Sequence, residues 1–449
     1  MRARTRLTLC LAALLVAGCG GGGSGSDPIA PPASCDVADR KVWLRDYMRA
    51  WYLWAALGPS PDPVPFGSID DYFPALLYGG GGTVPADRFS RLESTESYRR
   101  FYDEGRTLGY GLSVAGLEVE GRPDLPLRVR HVEPQSDAAA QGLQRGQQIV
   151  SLGGRPASEL IADNDYEALV PDSEGEQLAL VVRDGAGERA VTLTAAVYPL
   201  TPVPAEALLT SPGGRRVGYL MVKDMIGQID APVTAAIARF AASGVDELVL
   251  DLRYNGGGRV SVGRTLASVV DPARTAGEVY ARLRYNDQRA GDYDQTYRFE
   301  ERPGLGLNRV FVLAGARTCS ASEQLIHGLA PFVEVVLVGD ATCGKPVGFL
   351  PRDDGCGTTV SAVNFDSVNA RDEGSYYDGF APHCATADDL DHPLGDPAEG
   401  LLATALALAD GGACPPQAAA RAQPLAASAR AAIRRGAGEP MPARGMVAD

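Results

Sequence analysis

At 449 residues, with 45% hydrophobic and 22% charged residues, the chain is too long for one ordinary domain and has a globular composition, so two or three domains with real cores are expected. The formal net charge is -14. The acidic residues are spread along the chain rather than massed in one run, which argues against nucleic acid or an anionic membrane surface as the main partner.

The N-terminus reads as an export signal over residues 1–18. Arg2, Arg4 and Arg6 form a positive region, residues 7–16 a short apolar run, and Val16-Ala17-Gly18 a small-residue site before Cys19. No stretch approaches the about 18 uninterrupted apolar residues of a membrane helix. Val16-Ala17-Gly18-Cys19 resembles the bacterial lipobox, which implies that Cys19 is lipidated and becomes the new N-terminus; an ordinary secretory signal with an incidental cysteine is the alternative. Residues 19–34 begin Gly20-Gly21-Gly22-Gly23-Ser24-Gly25-Ser26, a flexible tether. Gly20 after the cysteine, where Asp would signal retention, implies the periplasmic face of the outer membrane. The lipid anchor is the only membrane contact expected.

Cysteine usage agrees with export. Without Cys10 and Cys19, six cysteines remain in an oxidising compartment: Cys35, Cys319, Cys343, Cys356, Cys384 and Cys414. Sequence alone does not choose among the pairings. The short loops Cys343 with Cys356 and Cys384 with Cys414 are the favoured expectation. There is no C-x-x-C pair and the four histidines are scattered, so neither a metal nor another cofactor is expected.

Residues 35–105 read as a helical segment, with helices over 37–57, 70–77 and 97–103 and a proline-rich break at 58–66. From residue 106 to 197 the pattern changes to short strands. Residues 110–114, 127–132 and 148–152 alternate apolar and polar positions, a short helix covers 138–143, and 178–182 and 191–195 flank the turn-forming run Asp184-Gly185-Ala186-Gly187. Gly142-Leu143-Gln144-Arg145-Gly146-Gln147-Gln148-Ile149 resembles the PDZ segment that leads from a short helix into a strand, with Gln147 where Asp is usual. That resemblance places peptide binding at Tyr110, Gly111 and Leu112, where glycines leave N–H groups free for a carboxylate and a strand edge accepts a peptide.

Residues 198–412 read as α/β: strands at 216–222, 248–252, 309–313 and 333–338 alternate with helices at 232–242, 260–270 and 320–329, and a last helix covers 399–408. A mainly parallel or mixed sheet follows, with reactive groups in loops at strand ends. The fold class is thus multi-domain α/β: a helical segment, a PDZ-like β-rich domain and an α/β core. Residues 413–449, rich in Ala, Arg, Pro and Gly, read as a low-complexity tail, disordered or marginally helical.

Two loops in the core stand where a buried strand gives way to a helix: Asp251-Leu252-Arg253-Tyr254-Asn255-Gly256-Gly257-Gly258 and Ala316-Arg317-Thr318-Cys319-Ser320-Ala321-Ser322-Glu323. A serine at a helix start is usually a cap, and Ser322 fits that role. At Ser320 the same helix end also offers unpaired N–H groups that stabilise an oxyanion when a hydroxyl attacks a carbonyl. His131, His327, His383 and His392 are poorly placed to serve as its base. Lys345 follows the strand at 333–338 after a short loop, and burial would make it a base by lowering its pKa from about 10.4.

Ser320-Ala321-Ser322-Glu323 followed by Gly344-Lys345, a separation of 25 residues in numbering, resembles the C-terminal processing, or tail-specific, serine peptidases. Leu250-Asp251-Leu252-Arg253-Tyr254-Asn255-Gly256-Gly257-Gly258 resembles their oxyanion loop, and a PDZ domain precedes the core in that family. The resemblance implies a serine endopeptidase acting on exported polypeptides through C-terminal or unfolded tails, with Ser320 as nucleophile, Lys345 as base, and the N–H groups of Gly257 and Ala321 holding the oxyanion. Phe349 stands where many relatives carry a Gln that orients the lysine, and Pro331 where some carry Asp; Cys319 and Cys343 flank the dyad. A non-catalytic peptide-binding scaffold is the rival reading. Gly258-Arg259-Val260-Ser261-Val262-Gly263-Arg264-Thr265 nearly matches a phosphate-binding loop but has Arg264 where that motif needs Lys.

Overall fold

The computed structural model describes residues 29–414, 430 and 445–448. The export signal, Cys19 and most of the 413–449 segment lie outside the described residues.

The helix Val37–Trp51 turns Leu44, Tyr47, Met48 and Trp51 to one buried face, the spacing a 3.6-residue period requires. It ends earlier than the periodicity suggested. Ile69–Ala75 and Thr95–Tyr102 begin at Ser68 and Ser94, whose hydroxyls accept the N–H groups of Asp71 and Ser97. The aromatic face does not close on itself. Trp51 and Tyr47 share one core with Val347, Phe349 and Val363 of the later chain, Arg91–Ser94 pairs antiparallel with Thr358–Ser361, and Cys35 is bonded to Cys356 with Cα atoms 5.5 Å apart. The helical segment is therefore packed as a flank of the core.

The β-rich unit has the strand order Leu112–Val114, Leu127–Val132, Gln148–Leu152, Gln177–Asp184, Gly187–Thr194, with Arg155–Pro156 beside the third. Leu112–Val114 forms one free edge. Leu127, Val129, Ile149, Leu180, Val182 and Leu193 fill a separate core. The hairpin at 184–187 has the turn the sequence marks, with strands longer than the apolar alternation alone suggested.

The core contains two six-stranded sheets. The first runs Ala205–Thr210, Arg216–Met221, Glu247–Asp251, Arg309–Ala314, Glu334–Gly339, Cys384–Ala385, all neighbours parallel except the first pair. Its central strands are apolar at consecutive positions because both faces are covered. Leu248, Leu250, Val310 and Val312 face the helices Asp230–Ser243 and Ala321–Leu329, while Val249, Phe311 and Leu313 face Gly400–Ala409. The second sheet runs Gly257–Arg259, Gly445–Val447, Val347–Phe349, Val363–Val368, Val279–Tyr285, Gln295–Arg298. Its strands are short and interrupted by glycine and charge, so periodicity does not announce them.

Two expectations are corrected. Residues 445–447 are not part of an unstructured tail but an inner strand of the second sheet. Cys343 is bonded to Cys319, not to Cys356. The reason is topological: Cys319 and Cys343 follow the adjacent parallel strands Arg309–Ala314 and Glu334–Gly339, which bring their Cα atoms within 5.1 Å. Cys384 is bonded to Cys414, as the short loop suggested.

Candidate active site

Three parallel strands end at one level of the first sheet: Asp251 is opposite Leu313, and Leu313 is opposite Val338. Their following loops carry Asn255 to Gly258, Thr318 to Ser320, and Thr342 to Lys345. Loops at the carboxyl ends of parallel strands are where such sheets assemble sites. Here cross-loop bonds fix them: Thr318 Oγ1 donates to the Leu252 carbonyl at 2.8 Å, Cys319 N–H to the Asn255 carbonyl at 3.1 Å, and Cys343 N–H to the Thr318 carbonyl at 3.0 Å.

Ser320 is buried immediately before the helix Ala321–Leu329 and has φ 62° and ψ -115°. A non-glycine residue in that conformation carries strain on the order of 1–3 kcal/mol and persists only where its surroundings hold it. Its hydroxyl is buried with no hydrogen-bond partner and is not bonded to Lys345 in this arrangement. Ser320 and Glu323 stand in capping-box positions, yet only the Glu323 half is made: its carboxylate accepts Ser320 N–H at 2.9 Å. The same carboxylate accepts Thr342 Oγ1 at 2.6 Å, Gly344 N–H at 2.7 Å and Lys345 N–H at 2.9 Å. Glu323 thus ties the serine turn to the lysine loop. Burial pushes its carboxyl up, opposed by the donors from Thr342, Lys345, Gly344 and Ser320.

Lys345 is buried, its ammonium nitrogen 4.0 Å from the ring centre of Phe349 and 5.5 Å from that of Phe89. Burial, and then the charge of Arg91, hold its pKa well below the ordinary lysine value against the pull of Asp87, Glu323 and Glu93. Phe89 and Arg91 come from the helical flank, so that segment helps to set the lysine's charge. Phe349 forms one wall of its pocket.

Gly257 sits against the serine turn with φ 99°. A Cβ there would lie 2.9 Å from the Cys319 carbonyl and 3.0 Å from Ser320 Cβ. Its N–H donates to Asn255 Oδ1 at 2.8 Å, so this donor is engaged rather than aimed at an oxyanion. Asn255 is held in turn by Ser322, whose hydroxyl donates to the Asn255 carbonyl at 3.1 Å and to Oδ1 at 2.9 Å. Ser322 therefore pins the glycine loop and does not cap the helix. Ala321 is the first helical residue, beside Ser320.

Tyr110 and Leu112 are buried in the core of the β-rich unit. With Gly111 they line a depression that also includes Glu133 and Tyr198. Glu133 beneath it is buried, which raises its pKa, but Lys223 at 2.8 Å and His131 at 3.5 Å outweigh that and lower it to about 2. Lys223 also pairs with Asp224 at 3.0 Å, so this buried cluster joins the β-rich unit to the core. Arg145 makes a second joint, donating to Tyr254 and Asp388 of the core.

The remaining sequence features resolve elsewhere. His327 bonds the Glu373 carbonyl, His383 accepts Leu337 N–H and His392 pairs with Asp389, so no histidine serves Ser320. The near phosphate loop is closed: Arg259 N–H donates to the Met225 carbonyl, against which Gly258 also packs, and Arg264 pairs with Glu300 at 2.9 Å. Cys319, Glu323 and Cys343 cluster with the spacing of a metal site, but the two sulfurs are bonded to each other. Glu323, Asn255, Phe89 and Arg91 were given no role from sequence. The Ser-x-x-Glu capping spacing was the one signal that pointed to Glu323.

Parallel strand ends thus bring a strained serine at a helix start and a buried lysine into neighbouring loops, the groups a serine-type hydrolase would need. Residues 216–383 match the model of peptidase family S41, and residues 40–91 that of the S41 N-terminal domain. The carboxyl-terminal-processing proteases of Picosynechococcus and Synechocystis are 27% and 28% identical over 286 and 290 residues, each match covering 63% of this chain. The chain spans 66% and 64% of the lengths of those relatives. A solved Bacteroides fragilis structure described as an S41 protease has 25% identity and a TM-score of 0.64, covering 82% of this chain and 97% of its own. The photosystem II D1 C-terminal processing protease, at 18% identity and TM-score 0.50, shares the fold. The chain belongs to peptidase family S41.

Proposed function

We propose that this protein is a serine endopeptidase of the C-terminal processing type, in which Ser320 is the nucleophile and Lys345 the general base. The observation that carries the reading is the pair of loops held by Glu323: one presents a strained serine, the other a buried lysine whose neutral form is favoured. Ser320 Oγ attacks the scissile carbonyl carbon and its proton passes to Lys345 Nζ, which then delivers it to the leaving amine. Water next attacks the acyl-enzyme, with Lys345 taking and returning the proton, and the ester bond to Ser320 breaks. Ala321 N–H at the helix start serves the oxyanion. Gly257 N–H joins it once its peptide turns away from Asn255, a rotation that glycine permits.

The β-rich unit fits the role of a PDZ-like domain that receives peptide tails. Its edge strand Leu112–Val114 is available for strand addition, beside the depression at Tyr110 and Gly111. The protein acts on exported polypeptides while anchored through lipidated Cys19 at the periplasmic face of the outer membrane. Three disulfides among the described residues accord with an oxidising compartment, and no described helix is long and apolar enough to cross a membrane. Labelling with a fluorophosphonate probe tests the dyad: the wild type should label, and Ser320→Ala and Lys345→Ala should not. Equal labelling of all three would remove the reading. Loss of metabolic palmitate incorporation in Cys19→Ala tests the anchor.

A further inference from the structure

The strand Gly445–Val447 lies between the two halves of the candidate site. On one side it runs parallel to Gly257–Arg259, with Gly445 opposite Gly257 and Val447 opposite Arg259. On the other it runs parallel to Val347–Phe349, the strand that follows Lys345, with Met446 opposite Gly348. Gly445 N–H donates to the Gly256 carbonyl at 3.2 Å, and Ala448 N–H to the Phe349 carbonyl at 3.0 Å. Among the described residues this segment is the only strand joining Gly257–Arg259 to the rest of the second sheet. Two facing strand edges, one from the glycine loop and one from the lysine loop, form a slot for an extended peptide.

The segment fills that slot as a ligand would, with successive side chains in separate pockets on opposite faces. Met446 is buried, its sulfur 3.3 Å from Gln324 Nε2 on the helix that starts after Ser320. Val447 is buried among Phe101, Tyr102, Tyr198, Leu200 and Ile226, a pocket to which the helical flank, the connection after the β-rich unit and the core all contribute. Gly445 lies directly at Lys345: a Cβ on it would collide with Lys345 Nζ and stand 2.6 Å from Phe349 Cε2, and its φ is 86°. A side chain is excluded at this one position of the strand.

We propose that residues 445–448 occupy, within their own chain, the slot in which the enzyme binds substrate, so that the protein carries a competitive ligand for its own active site. The peptide the slot prefers then has an extended backbone with glycine beside Lys345, followed by apolar residues of Met and Val size. This rests on the peptidase reading above for the word substrate, and on the strand pairing alone for occupancy.

The test uses the Ser320→Ala background, in which nothing is cut. A fluorescent peptide of residues 441–449 is titrated by anisotropy against the full chain, a chain lacking 441–449, and full-length Gly445→Val. A tethered ligand acts at an effective concentration near the millimolar range, so a free peptide that binds in the tens of micromolar should bind the truncated chain about 10- to 100-fold more tightly than the full chain. Gly445→Val should bind like the truncated chain, which keeps the test decisive if truncation disturbs folding. A peptide carrying the same Gly→Val change should bind at least about tenfold more weakly. Equal affinity for all three proteins, or no binding to any, would overturn the proposal. Fluorophosphonate labelling of the truncated chain with Ser320 restored reports on the peptidase reading separately: labelling without peptide binding would sink the occupancy alone, and peptide binding without labelling would sink the peptidase alone.

Discussion

Glu323→Gln is the sharpest probe of how the site is held. The two oxygens of the carboxylate accept two backbone N–H groups on one side, from Ser320 and Lys345, and Gly344 N–H with the Thr342 hydroxyl on the other. Glutamine has the same shape, but one oxygen becomes an amide NH2, which turns two favourable contacts into donor-to-donor clashes. Each buried donor left without an acceptor costs about 1–3 kcal/mol, so the substitution should destabilise by roughly 2–6 kcal/mol. Because the lost bonds join the serine turn to the lysine loop, activity should fall further than stability explains. Urea unfolding gives the first quantity, and fluorophosphonate labelling rate under conditions where the variant is folded gives the second. A Glu323→Gln protein within about 0.5 kcal/mol of wild type, which is the scatter of an unimportant surface change, and labelling at the wild-type rate would refute the argument.

Replacing Cys319 and Cys343 together by Ser opens a loop of sequence separation 24; the chain-entropy relation puts the stability loss at about 3.5 kcal/mol, readable as a lower urea midpoint, with slower labelling of Ser320. Unchanged stability and labelling in a variant shown by mass to lack the bridge would exclude this role. Lys345→Met should abolish activity yet stabilise the fold at pH 7. Burial depresses the lysine pKa in the folded state, so the unfolded chain binds more protons between that value and about 10.4, and wild-type stability rises with pH through this window. The advantage of Met should therefore shrink as pH approaches about 10.4, and a Met variant less stable than wild type at pH 7 would contradict the depressed pKa. Gly257→Ala forces a Cβ against the Cys319 carbonyl at φ 99° and should lower kcat more than it raises KM; wild-type kcat would show that the glycine loop neither touches nor supports the serine turn.

What the sequence made legible follows from where the physics is local. The four inner strands of the first sheet were readable because they are buried on both faces and therefore apolar at consecutive positions, as in Leu248-Val249-Leu250. The short helices expected at 70–77 and 97–103 begin slightly earlier, at Ile69 and Thr95, where the hydroxyls of Ser68 and Ser94 cap them. The second sheet was not, because Gly257–Arg259 and Val347–Phe349 are short pieces whose partner lies far along the chain at Gly445–Val447; nothing near residue 445 reports a pairing made at residues 257 and 348. The cysteine pairing failed for a related reason. Sequence distance favoured Cys343 with Cys356, whereas parallel strand register placed Cys343 beside Cys319. Ser320 and Lys345 were nominated by motif spacing, but the carboxylate that couples them carries the generic signature of a helix cap.

The lysine's surroundings show what Phe349 does at the position where the family resemblance led to the expectation of a Gln. An amide near Lys345 would supply a polar partner and favour its charged form, whereas the Phe349 ring, 4.0 Å from the nitrogen, offers only the modest attraction of a π face. That attraction is too small to offset burial, and Arg91 adds repulsion in the same direction. With Phe89 on another side, the pocket keeps the amine neutral by withholding solvation, and packing rather than a hydrogen bond aims it. A base aimed by packing depends on what fills the rest of its pocket. Here the filling includes the backbone of Gly445, against which no side chain would fit. The group that orients Lys345 and the group that occupies the slot are thus not independent: removing residues 445–448 both opens the site and frees one wall of the lysine pocket, so the base is held most tightly when its own chain occupies the place of a substrate.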